Sequence, residues 1–158
     1  MASWNDFSRE APGLASRAQT FLDARRHKTI ATLRRGGAPR LSGTETFFHA
    51  SDIWFGSMWR SQKALDLRRD PRFALHSGSE EPPDWRGDVS ISGSAIELDD
   101  ATVKAEIAEE IGGASAEPWH LFRAELGEVV VVQLAGSGGH LDIDIWTPGS
   151  EVRRIERA

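Results

Sequence analysis

Trp54–Ser77 reads WFGSMWRSQKALDLRRDPRFALHS. An apolar strand ends at Gly56-Ser57, a loop follows, and a short helix begins near Ser61. Lys63 then falls in the first turn of that helix, where backbone N–H groups already carry partial positive charge. A lysine there opposes the helix dipole, at about 0.3–1 kcal/mol if exposed. An anion held jointly by Arg60, Ser61, Lys63 and the helix N-terminus would reverse the sign of that cost. Local chemistry leaves a second account open, in which Ser61 is an ordinary N-cap and Lys63 a solvated surface charge.

The order of pieces along the chain carries more. Ser57 ends the strand, Ser61-Gln62-Lys63 opens the helix, Asp66-Leu67 and Asp70-Pro71-Arg72 close it, and Phe73-Ala-Leu-His-Ser starts the next strand. Upstream lies Thr29–Leu33 with its Gly36-Gly37 turn, and downstream Val89-x-Ile91-x-Gly93. This ordered set resembles the pyridoxamine 5′-phosphate oxidase-like, flavin-binding split-barrel family. The resemblance covers most of the chain. It implies a mainly β split barrel with an N-terminal helix and short connecting helices, built as a homodimer over residues 1–158. It also implies a flavin (FMN) or deazaflavin (F420) oxidoreductase acting on a small organic substrate. Arg40, Ser42, Gly43 and Thr44 would then lie along the isoalloxazine ring. Ser57, Met58, Trp59, Arg60, Ser61, Gln62 and Lys63 would also bind the cofactor, with Arg60, Ser61 and Lys63 on its phosphate. FMN suits a single phosphate site, whereas F420 would need a further basic groove, for which Arg25, Arg26 and Lys28 are the candidates.

The chain departs from true pyridoxamine-phosphate oxidases at three places. The middle arginine of their Ser-Arg-Lys is Gln62 here, and the glutamine before the Val-x-Val-x-Gly strand is Asp88. No arginine after Trp146-Thr147-Pro148 matches their C-terminal substrate-binding segment. Vitamin B6 oxidation is therefore not the expected reaction. The competing class is a non-catalytic split-barrel module that binds flavin or haem.

Composition narrows the field independently. The chain has 158 residues, 39% hydrophobic and 27% charged, as expected of one soluble globular domain. It contains no cysteine, which excludes disulfides, thiolate catalysis and zinc–cysteine sites. MASWNDFSRE lacks the basic and apolar regions of a signal peptide, so the expected location is cytoplasmic. The net charge of −5 argues against general nucleic-acid binding, and no run is apolar enough for a membrane span. Only three of the nineteen basic residues are lysines, which makes Lys63 the less usual choice.

Apolar spacing predicts a helix over Ala11–Arg26 and strands over Thr29–Arg34, Pro39–His49 and Asp52–Phe55. Arg72–Ser77 and Asp88–Leu98 read as further strands around a polar Gly78–Gly87 loop. Asp99-Asp100 caps a helix that runs to Ile111 and stops at Gly112-Gly113. Pro118–Arg123 reads as a helical turn, Glu128–Leu134 and Leu141–Trp146 as a hairpin about Gly136–Gly139, and Glu151–Ala158 as a frayed charged tail. Strands without regular βαβ alternation point to an antiparallel barrel.

Other constellations carry less. Gly136-Ser137-Gly138-Gly139 precedes a strand pattern and not a helix, so it is a hairpin turn and not a dinucleotide loop. His140, Asp142 and Asp144 share one strand face about 7 Å apart, which an exposed polar face explains without a metal. His49, His76 and His120 have no partner at ligand spacing and read as structural. No residue pattern names a nucleophile or general base, as expected where a cofactor does the chemistry. Gly43 would allow backbone to approach a ring closely, or would mark a bend in the barrel.

Overall fold

The computed structural model describes residues 1–112, 118–136 and 139–158. The chain opens with two helices where the spacing predicts one. Helix α1 (Trp4–Glu10) is set by a capping box: Ser3 Oγ accepts the Asp6 N–H at 3.0 Å and Asp6 Oδ2 accepts the Ser3 N–H at 3.1 Å. Helix α2 (Pro12–Asp23) starts on a proline, which suits the first helical position, and buries Leu14, Ala15, Ala18 and Leu22.

Eight antiparallel strands follow: β1 (His27–Leu33), β2 (Pro39–His49), β3 (Asp52–Met58), β4 (Arg72–His76), β5 (Gly87–Leu98), β6 (Trp119–Leu134), β7 (Leu141–Trp146) and β8 (Arg153–Arg157). Their order is β3-β2-β1-β4-β5-β6-β7-β8, and β3 also pairs with β6, which closes the first six into a barrel. Strand β6 makes the closure possible because it is sixteen residues long. Its first part pairs with β3, its second with β7, and β5 runs along nearly all of it. The register slips between Ser92 and Gly93, where a β-carbon on Gly93 would stand 1.9 Å from the Glu125 carbonyl oxygen. Only glycine fits that bulge.

Two apolar clusters hold the barrel. Inside, Phe55 stacks on Phe122 at 5.5 Å and meets Phe73 edge-on at 5.6 Å, with Ile30, Ile53 and Ile91 around them. Outside, helix α4 (Ala101–Glu110), capped by Asp100, lays Ile107 on Trp54 and Leu121. Helix α3 (Gln62–Arg69) packs against β1 and β3. No helix among the described residues is long and apolar enough to cross a membrane.

Three expectations fail at the C-terminal end. Pro118–Arg123 is not a helical turn, since β6 begins at Trp119. The charged tail is not frayed, because Arg153–Arg157 pairs with β7. The face carrying Asp142 and Asp144 is not exposed: both carboxylates are buried beside Trp146, while Leu141, Ile143 and Ile145 take the outer, half-buried face. Guanidinium groups make this inversion tolerable. Arg154 binds both oxygens of Asp144 at 2.7 Å, and Arg17 of α2 reaches Oδ2 at 2.5 Å. Asp142 meets His140 at 3.3 Å and Arg154 at 3.5 Å. His140, Asp142 and Glu156 bring their ligand atoms within 4.8 Å of one another, and Arg154 supplies there the positive charge that a metal would bring. Of the expected turn positions, Gly113, Ser137 and Gly138 lie outside the described residues.

Candidate functional site

The barrel wall opens between β2 and β3. These strands pair only from Thr46–His49 to Asp52–Phe55. Upstream of Thr46, β2 keeps its pairing with β1 alone, and the end of β3 turns away to pair with β6. A cavity of about 490 Å³ occupies the gap, lined by Arg40–Gly43, by Gly56–Met58 and by Ser61–Lys63, with Arg34 at its edge. A second cavity, of about 780 Å³, shares Gly56, Ser57 and Met58 with it. Phe47, Trp59, Ile111 and Trp119 give this larger space a mostly apolar lining. Gly56 makes room for it, since a β-carbon there would touch the Trp119 ring at 3.3 Å.

Helix α3 aims its N-terminus at the smaller cavity. Ser61 is its N-cap, accepting the Ala64 N–H at 3.2 Å, and its hydroxyl lies 2.6 Å from the Ser57 hydroxyl. Lys63 reaches across the gap and donates to the Gly43 carbonyl oxygen at 2.9 Å. Burial pushes the Lys63 ammonium below the ordinary lysine range. Among the described residues no carboxylate lies within 4 Å of it to restore the charge.

The far side of α3 is anchored by a buried carboxylate. Asp66 accepts from Arg40 Nε at 2.6 Å, from Arg69 at 3.1 Å and from Thr32 at 3.2 Å. Burial raises the Asp66 pKa, but the bonds from Arg40, Arg69 and Thr32 outweigh it and leave the carboxyl below its ordinary value. Arg40 is therefore tied to the helix, with its Nε already taken.

The loop between β3 and α3 rests on His120. This ring is 1% exposed, and its Nε2 accepts the backbone N–H of Arg60 at 3.0 Å. Its Nδ1 lies 2.6 Å from Glu97 Oε1, and Glu97 Oε2 is 3.0 Å from Arg68 Nε. Trp59 covers the ring face at 4.7 Å with an interplanar angle of 11°.

Of the eleven residues expected at the site, Arg40, Ser42, Gly43, Ser57, Met58, Ser61, Gln62 and Lys63 line one cavity. Trp59 lines the adjoining one. Thr44 does neither: it is buried on the strand face opposite Gly43, and its hydroxyl has no partner among the described residues. Arg60 enters through its backbone, its side chain being exposed and outside both cavity linings. Arg34, Trp119, His120 and Glu97 were missed. Trp119 and His120 lie at the start of β6, where the spacing predicts a helical turn, and Glu97 of β5 joins the site only through His120.

The sequence profile described as pyridoxamine 5′-phosphate oxidase matches residues 14–137, which include every cavity-lining position named above. The chain belongs to this family. Its fold recurs in solved structures of low identity. It is similar to a pyridoxamine 5′-phosphate oxidase-related, FMN-binding protein from Nostoc punctiforme, at 14% identity and a TM-score of 0.64, covering 92% of this chain and 95% of that one. PhzG from Burkholderia lata, solved with tetrahydrophenazine-1-carboxylic acid, gives 15% and 0.66, covering 97% and 94%. ChuZ from Campylobacter jejuni gives 14% and 0.70, covering 91% of this chain and 63% of that one. None of the curated proteins compared matches the chain. The split-barrel expectation from Trp54–Ser77 is borne out.

Proposed function

We propose that this protein binds FMN in the cleft between β2 and β3 and serves, as a homodimer, in hydride transfer to or from a small, flat, apolar substrate. The observation that carries this reading is Lys63, a partly buried cation at a helix N-terminus beside two hydroxyls, with no carboxylate partner among the described residues. A phosphate dianion would restore its favoured charge and take up the orphan N–H groups of α3. Gly43 supports the ring placement, because a β-carbon there would meet nothing within 4 Å and would project into open space. Cavities of about 490 and 780 Å³ lie in the range of small-molecule sites.

Bound flavin would supply the two-electron chemistry. This chain's residues would do the rest. Lys63, Ser57 and Ser61 would hold the anion, the unpaired stretch of β2 would lie beside the flavin, and Phe47, Trp59 and Trp119 would offer the substrate an apolar wall. Leu41 and Met58 stand at the mouth, 73% and 80% exposed. Apolar side chains so placed favour a second copy covering the cleft.

FMN is preferred to F420 because the candidate basic groove is already engaged. Arg25 pairs with Glu80, Arg26 with Glu45 at 3.0 Å, and Lys28 is buried against the Arg25 and Arg26 carbonyls. A haem module is disfavoured, since no histidine is among the described residues that line either cavity. Titration of the purified protein with FMN, riboflavin and F420 tests the reading. Tighter binding of FMN than of riboflavin supports it, and binding of none overturns it. Bound flavin that no reductant and acceptor pair can cycle would leave the non-catalytic module.

A further inference from the structure

The geometry points to His120 as the positioning residue of the anion cradle, holding the Ser57–Ser61 loop through a single hydrogen bond from the Arg60 backbone. This rests on the reading of the cleft as a phosphate site and adds how the site is kept in shape.

Arg60 is strained. Its φ is +54°, a left-handed backbone that a residue with a β-carbon adopts only when its surroundings hold it. What holds it is the Nε2 lone pair of His120, 3.0 Å from the Arg60 nitrogen. A backbone N–H needs an acceptor, so Nε2 carries no proton and Nδ1 does. That Nδ1–H has its own acceptor in Glu97 Oε1 at 2.6 Å. The chain of contacts continues from Glu97 to Arg68 on α3 at 3.0 Å. His120 therefore links the loop before α3 to the last turns of the same helix, through β5 and β6.

The link lands on the cradle. His120 is the cross-strand partner of Ser57 in the β3–β6 pairing. The Ser61 N–H bonds to the Met58 carbonyl at 3.1 Å across the strained residue, which brings the two serine hydroxyls together. Release of Arg60 lets this turn relax and moves Ser61 and the N-terminus of α3 away from Ser57. A core histidine with no such role would leave the loop unchanged when replaced by a residue of similar size.

Two substitutions separate the ring nitrogens. His120→Gln can place an acceptor near the Nε2 position, whereas His120→Asn can place only a donor near Nδ1. FMN and riboflavin affinities are measured for both variants and the wild type, together with hydrogen exchange at the Arg60 amide without ligand. His120→Asn is expected to lose about tenfold in FMN affinity, the loss of one such bond, with riboflavin unchanged. The Arg60 amide should exchange faster in that variant, and His120→Gln should stay near wild type in both readouts. Equal loss of FMN and riboflavin in both variants, or an unchanged Arg60 exchange rate in His120→Asn, overturns the proposal. If the wild type itself does not prefer FMN, the reading of the site fails, and Arg60 exchange still decides whether His120 holds the loop. Imidazole nitrogen shifts of the wild type give a check that needs no variant: a proton on Nε2 at pH 7 overturns the assignment.

Discussion

Lys63 bridges the split in the barrel, its ammonium 2.9 Å from the carbonyl oxygen of Gly43 on the opposite side of the gap. The same lysine thus spans the cleft and is the group a phosphate would recruit. Lys63→Ala is expected to weaken FMN ten- to a hundredfold, from loss of a charge-assisted bond of about 1.5–3 kcal/mol. Riboflavin affinity and the apo melting temperature should change little. Titration calorimetry with both ligands and a melt of the apo protein check this, and equal weakening of both ligands would refute the phosphate role.

Gly43 separates a ligand requirement from a structural one. Its surroundings are open, so Gly43→Ala is expected to leave stability level or raise it by up to about 1 kcal/mol, through the unfolded chain. Flavin affinity should fall at least tenfold if the ring lies on that backbone. A drop in melting temperature with affinity retained would instead mark a bend in the barrel.

Gly93 is expected to behave in the opposite way. A β-carbon 1.9 Å from the Glu125 carbonyl forces β5 and β6 apart, so Gly93→Ala should cost about 3 kcal/mol or fail to fold. Urea unfolding measures it, and a loss under 1 kcal/mol would show that the bulge can relax.

Asp66 controls the acid limb of stability. Its folded-state pKa is lower than the unfolded value, so its contribution is complete above pH ~4 and is lost as pH falls through the folded value. Asp66→Asn removes the charge that Arg40 and Arg69 face, and should cost about 3 kcal/mol at pH 7. The difference between variant and wild type should shrink below pH ~4, which unfolding curves at stepped pH would reveal. A constant difference down to pH 2 would contradict the linkage.

The homodimer is tested by sedimentation at micromolar concentration. Leu41→Glu or Met58→Glu, which put charge on the exposed mouth of the cleft, should shift dimer to monomer. A wild type that sediments only as monomer would remove the dimer from the proposal.

What the sequence made legible follows from how each segment meets its neighbours. Helix α3 was readable because Ser61 caps it and Asp70-Pro71 stops it, both local effects. Strands β1 to β3 were readable through their turns. The start of β6 was not, because Trp119–Phe122 is covered on both faces. Leu121 packs outward on Ile107 and Phe122 inward on Phe55, which erases the alternation that marks a half-buried strand. Strand β7 showed its period but not its direction, since only the distant Arg17 and Arg154 make an inward-facing aspartate tolerable. For the site, the lining residues were legible as a cluster. Their support from His120 and Glu97 was hidden behind the misread strand.

The length of β6 also orders events in time. Strand β3 has no partner on its β6 side until Trp119–Arg123 arrives, and Arg60 and His120 lie sixty residues apart in the chain. On a ribosome, β1 to β4 and α3 would all have emerged while the cradle still lacked the ring that shapes it. Pairings between such distant segments form slowly, and the waiting edge of β3 is exposed to other chains. Assembly of the site and closure of the barrel are therefore a single late event, and nascent chains that stop short of Trp119 should aggregate without ever holding the anion.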